Sequence, residues 1–298
     1  MTELFATLTE PFGYAFFVKG LVVATISGGL LGLLGVYIVL RGMSYLGHGL
    51  SHAIFGGFAA SQLVAASWYL LGAGVWGVAS ALAITNVARR HRIGSDAAIG
   101  VVTTASFALG VALLARFGNR GPSFEAALFG SILGITQEQV WLLLAVSALS
   151  LALVVLGYRS LLFVSFDPEV AAASGVNVAR TDAVLMSVLS MAILATLTVI
   201  GVTLVAAMLV IPAVTARLLT SRFSRMLLLS SALGAVAGLV GMYASYFADV
   251  PSGTMIVLVC AAGFGLALAF GSRLRDPGRS PTAWAVRTPP DAAQTVSS

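Results

Sequence analysis

Gly47-His48-Gly49-Leu50-Ser51-His52-Ala53 lies between two stretches without a charged residue, Gly20–Leu40 (21 residues) and Ala53–Ala88 (36 residues). A membrane-spanning helix needs about 20 mostly apolar residues, so the two histidines sit at or inside a span. They are four residues apart, about one helical turn, and both imidazoles point the same way. Ionisable side chains are costly in a bilayer and usually serve function. Imidazole is also a common ligand of zinc and other transition metals. The stretch reads as a membrane helix that presents two metal-binding groups. A packed polar pair bonded to backbone carbonyls is the plainer alternative.

Moving outward, uncharged runs recur at Ala97–Ala115, Gln139–Tyr158, Ala183–Ala216, Met226–Ala248 and Val250–Ser272. The chain is 59% hydrophobic and 9% charged, whereas soluble domains carry about 25% charged residues. The fold class expected is all-α, a polytopic transmembrane bundle. The runs of 36 and 34 residues are each long enough for two crossings, which makes nine in all. Eight is the alternative if one segment is re-entrant. Glycine, at 32 residues, suits close helix packing, with Gly28, Gly29, Gly32 and Gly35 forming one such face. The single cysteine, Cys260, excludes an intrachain disulfide framework and reads as a small core residue. Met1–Pro11 has two glutamates and no basic segment, so no cleavable signal peptide is expected.

The net charge of +5 sets orientation rather than nucleic-acid binding. Arg89-Arg90-His91-Arg92, Arg159, Arg180, Arg217 with Arg222 and Arg225, and Arg273 with Arg275 and Arg279 all suit cytoplasmic loops. Nine crossings then place the N-terminus outside and the C-terminus inside, with Arg41 inside and Arg116 and Arg120 outside. His91 reads as a solvated loop residue. The expected organisation is an N-terminal segment (1–13), a membrane domain (14–272) and a cytoplasmic tail (273–298), the last disordered from its composition.

Three short segments stand out. Gly121–Thr136, with Pro122 and Glu125, suits a short external or re-entrant helix. Asp167-Pro168-Glu169 is a strong helix start, with an aspartate N-cap and proline in the first turn. Alanines continue that helix and Gly175 ends it. It is either a surface connector or a docking helix for a cytoplasmic partner. Ala248-Asp249-Val250-Pro251-Ser252-Gly253 is an external turn, either a simple loop or a contact for an external partner. No glycine-rich phosphate loop ending in Lys-Ser or Lys-Thr is present, and no nucleophile stands beside a base at a recognisable spacing. No catalytic constellation is legible, and the chain is not expected to be an enzyme.

Four stretches in this order resemble the membrane permease subunit of ABC-type manganese/zinc importers. They are Arg41–Ala53, Phe166–Gly175, Gly201–Leu219 and Pro251–Leu258, and the resemblance covers roughly residues 14–271. It implies a homodimeric pore in the plasma membrane, an ABC ATPase subunit on the cytoplasmic side and an extracytoplasmic metal-binding protein. It implies that residues 166–176 hold the coupling helix, with Asp167, Glu169, Ala172 and Gly175 meeting the ATPase. The alanine face Ala171–Ala173 would join that contact, and Asp249 and Ser252 would meet the external protein. The family's first motif usually reads Gly-Asp-Ala-Leu-Ser-His, whose aspartate and histidine face the metal. Here the histidine is His52 and the aspartate position is His48.

Carboxylate oxygen suits manganese and imidazole suits zinc, so the change from aspartate to histidine favours zinc, with manganese or iron as alternatives. Two histidines per protomer give four imidazoles around a two-fold axis, enough for tetrahedral zinc. A transport site must release its cargo, so coordination is expected to be transient. No permanently bound cofactor and no nucleic acid are expected. A siderophore or corrinoid ABC permease is a second reading. A proton-coupled secondary transporter is a third, from a different class, and would need acids in the spans. From Ala183 to Ser272 the sole acid is Asp249.

Overall fold

The described parts of the uncharged runs fold as helices, and glycine divides the 34-residue run Ala183–Ala216. The computed structural model describes residues 9–62, 69–90, 94–117 and 134–274. Among these it has a short 3-10 turn at Glu10–Gly13 and eleven α-helices: α1 (Ala15–Leu40), α2 (Leu46–Gln62), α3 (Tyr69–Arg90), α4 (Ser95–Phe117), α5 (Gln137–Leu156), α6 (Tyr158–Phe166), α7 (Pro168–Ala173), α8 (Val178–Ile200), α9 (Val202–Leu219), α10 (Phe223–Ala248) and α11 (Ser252–Leu274). Most of Gly121–Thr136, His91 and the tail from residue 275 lie outside the described residues. Residues 273 and 274 belong to α11, so the helix runs two residues into the segment assigned to the tail.

The 36-residue run carries parts of α2 and α3, with α2 starting before it, at Leu46. The 34-residue run splits into α8 and α9 at Gly201, whose φ of 81° and ψ of 164° fall in a region open essentially to glycine alone. Among the described residues seven helices are long and apolar enough to cross a membrane: α1, α3, α4, α5, α8, α10 and α11. The shorter α2 (17 residues) and α9 (18 residues) pack among them.

The most enclosed of the seven is α1. It lies antiparallel to α10 along a line of small residues. A methyl group added at Gly28 would strike the carbonyl oxygen of Gly234, and one at Gly32 that of Ser230. Ser231 Oγ donates to the Gly29 carbonyl at 2.9 Å, and Ser230 Oγ to that of Gly32. Such spacing lets backbones approach as they do in membrane bundles. Rings close both ends of the line. Phe17 meets Tyr246 at 5.5 Å, and Tyr37 meets Phe223 at 5.6 Å.

The contacts give the nine longest helices alternating directions. Gly57 of α2 lies against Ala73 and Trp76 of α3, Gly74 and Gly77 of α3 against Leu194 and Ser190 of α8, and Gly241 of α10 against Ile256 of α11. One end of the bundle therefore gathers Arg41, Arg159, Arg180, Arg217, Arg222, Arg225 and α7. The opposite end gathers Glu10, Arg116 and the α10–α11 turn with Asp249. The basic loops assigned to one side of the membrane thus share one end of the bundle.

Candidate functional site

The sequence Gly-His-Gly fixes where His48 points. Gly47 faces α9, where an added methyl would come within 2.7 Å of Leu209 Cδ2. Gly49 faces α4, where it would come within 2.9 Å of both Ile99 and Thr103. The start of α2 is wedged between two helices, with Leu46 and Leu50 fully buried behind it. Successive helical side chains are about 100° apart. The direction left between the two glycines is outward, and His48 is exposed there. Ser51, fully buried, satisfies its hydroxyl on the Gly47 carbonyl at 2.8 Å, so the polar residue between the histidines serves the backbone.

His52 follows one turn later on the same face, half-buried. The two imidazole centroids are 4.6 Å apart, with planes at 76°. Phe107 of α4 flanks His52 at 5.1 Å, and Phe55 lies 5.7 Å from Phe107. The Nδ1 atom of His52 is shielded and makes no hydrogen bond. The nitrogen left for a ligand is Nε2. The histidines predicted as a pair are thus brought together on an outward face. Among the described residues no group of three or more His, Cys, Asp or Glu side chains could hold a metal, and the two imidazoles stand here as a pair.

Local sequence builds α7 as expected. The N–H groups of Glu169 and Val170 donate to Asp167 Oδ1 at 3.1 and 3.0 Å, and Pro168 occupies the first turn. At the other end Gly175 takes a φ of 82°. Its N–H donates to the Ala172 carbonyl and that of Val176 to the Ala171 carbonyl, both at 3.0 Å. This paired closure defines a Schellman end, for which glycine is favoured. Asp167, Glu169, Ala172 and Gly175 are all exposed. Ala171 departs from the expected alanine face: it is fully buried against its own chain, and Ala172 and Ala173 alone remain outward.

Asp249 caps α10 with a left-handed φ of 52° and is exposed. Ser252 begins α11 and is half-buried. The turn is fastened by Ser245 Oγ donating to the Val250 carbonyl at 2.6 Å. It stands at the far end of the 26-residue α10 from α7, a helix length of about 39 Å.

Sequence reasoning placed Arg41 but missed its partner. Arg41 Nη1 donates to Asp182 Oδ1 at 2.7 Å, and its Nε to Ser165 Oγ at 3.3 Å. A usable signal existed. Arg41 is the first charge after one uncharged run and Asp182 the last before another, which sets both at a membrane boundary.

A family model described as "ABC 3 transport family" matches residues 13–271. The manganese transport system membrane protein MntC of Halalkalibacterium halodurans is 36% identical over 273 residues, which is 92% of this chain and 93% of that one. The chelated iron transport system membrane protein YfeC of Yersinia pestis is 34% identical over 250 residues, 84% of each chain. Among solved structures, PsaBC from Streptococcus pneumoniae in complex with Fab superposes with a TM-score of 0.77 at 32% identity. It covers 90% of this chain and 95% of that one.

Proposed function

The chain belongs to the ABC 3 transport family as a multi-pass plasma-membrane permease of ABC metal importers, and we propose that His48 and His52 meet a divalent transition metal in passage, zinc in preference to manganese. The observation that carries this is the outward pair of rings 4.6 Å apart on one face of α2. One chain offers two imidazoles there and a second copy around a two-fold axis would offer two more. Four nitrogens suit zinc better than manganese, which favours oxygen.

The same geometry suits release. A resident metal's histidine normally donates its other ring N–H to a carboxylate or carbonyl, which raises its basicity. His52 Nδ1 has no such acceptor, and ring packing alone holds the imidazole. A weaker ligand fits an ion that must leave.

In this reading α2 and α9 both cross, making nine spans. The end that carries the arginines is cytoplasmic. There α7 docks on an ABC ATPase subunit through Glu169 and Ala172, framed by Asp167 and Gly175, and hydrolysis of ATP belongs to that partner. Asp249 and Ser252 face an extracytoplasmic metal-binding protein. Manganese or iron as cargo is the second reading, favoured by the names of the relatives.

Competition uptake of zinc and manganese ions by the reconstituted complex tests the site. His52→Ala is expected to lower zinc uptake by at least the roughly 10–100-fold that loss of an outer-shell partner causes at a metal site. His48→Asp is expected to raise the manganese-to-zinc ratio. Full activity in His52→Ala together with an unchanged ratio in His48→Asp would remove both histidines from the path.

A further inference from the structure

One guanidinium ties together three segments of chain that border the two functional regions. Arg41 directly follows α1 and lies five residues ahead of α2. Ser165, its neighbour at 3.3 Å, is on α6, two residues before the Asp167 cap of α7. Asp182, its partner at 2.7 Å, lies in the second turn of α8, the helix the chain enters on leaving α7. The ion pair is largely shielded, with side chains 10% and 12% exposed. Arg41 Nη2 is buried and donates to nothing.

The connections on either side have little slack. The Gly42 N–H donates to the Val39 carbonyl at 3.2 Å and the Met43 N–H to the Ile38 carbonyl at 3.0 Å. Leu46 then bonds back to Met43 at 2.9 Å, and α2 begins. A single residue, Asp167, separates α6 from α7. Phe166, the next residue of α6, packs on Phe223 at 5.9 Å, and Phe223 packs at 5.6 Å on Tyr37 of α1, four residues before Arg41. A displacement of α7 therefore reaches Arg41 through Ser165 and Phe166 on one side and through Asp182 on the other.

We propose that Arg41 is a positioning residue that makes α2, and with it His48 and His52, follow the movement of α7. The proposal rests on the reading of α7 as the ATPase-docking helix and of the histidines as the metal contact. Arg41 acts through Ser165 and Asp182. The unspent Nη2 donor gives it a route to exchange partners as the helices shift without leaving the charge wholly unpaired.

Removing one member of a shielded ion pair is far more disruptive than replacing both by apolar residues of similar volume. The test is therefore Arg41→Met combined with Asp182→Leu, in the reconstituted complex with its ATPase and binding protein. Uptake of zinc and manganese ions and ATP hydrolysis are measured in the same vesicles. The expected result is an assembled complex that hydrolyses ATP while ions moved per ATP fall about threefold or more, the range in which linking residues change coupling. An unchanged ratio, including equal loss of both activities, overturns the proposal. If the double variant does not assemble, Ser165→Ala decides, since it keeps the ion pair and cuts the link to α6. A lowered ratio there supports the proposal and an unchanged one overturns it. His52→Ala in parallel separates the two levels: retained uptake in that variant rejects the metal site whatever Arg41 does.

Discussion

Phe107 of α4 meets the imidazole of His52 edge to face, at 5.1 Å and 79° between planes. The contact fixes a ring whose Nδ1 has no hydrogen bond. The orientation of the inner histidine is thus set by packing between two helices, and not by a polar acceptor. Gly49, which lets α2 and α4 close on each other at Ile99 and Thr103, is what brings the ring within reach.

Phe107→Ala should therefore act on metal capture. Aromatic pairs contribute roughly 0.5–1.5 kcal/mol beyond burial, so the apparent KM for the ion is expected to rise about 2–12-fold. Initial-rate uptake across a metal titration reads this directly. An unchanged KM would show that other contacts hold His52.

Neighbouring alanines on α7 should behave in opposite ways. Ala171 is fully buried, and Ala171→Leu overpacks the α7 seat at a cost of about 1–3 kcal/mol, visible as a lowered Tm of the purified permease. Ala172 is exposed, and Ala172→Arg should leave Tm unchanged while weakening co-purification of the ATPase. Normal co-purification with Ala172→Arg would show that α7 is a connector.

Much of this architecture was legible because it follows from local rules. Charge-free runs mark the helices, Asp167-Pro168 and Gly175 bound α7, and a four-residue spacing puts two imidazoles on one face. What escaped was tertiary. No local pattern says which alanine of three faces inward, and Ala171 is decided by the helices it rests on. Arg41 and Asp182 are 141 residues apart, and their pairing needs the antiparallel stacking that brings the foot of α8 beside the end of α1. Phe107 carries no local signal either, since it meets His52 only through the packing of α2 on α4. The split at Gly201 was open in the same way, since a run of 34 uncharged residues does not state where it breaks. The left-handed glycine conformation between α8 and α9 does.

The sidedness of the bundle can be read with single cysteines in a Cys260→Ser background. Cys260 is buried beside Met208, with the sulfurs 3.4 Å apart, so its replacement by a residue of similar size should leave the fold intact. Ser252 stands by the α10–α11 turn and Ser95 opens α4 at the opposite end, beside the arginine-rich loops. Basic loops stay on the cytoplasmic side. A membrane-impermeant maleimide applied to intact cells should therefore label Ser252→Cys and leave Ser95→Cys unmodified until the cells are opened. Labelling of Ser95→Cys alone in intact cells would invert the bundle. It would put α7 outside and the Asp249 turn inside, and neither partner could then dock where the proposed function places it.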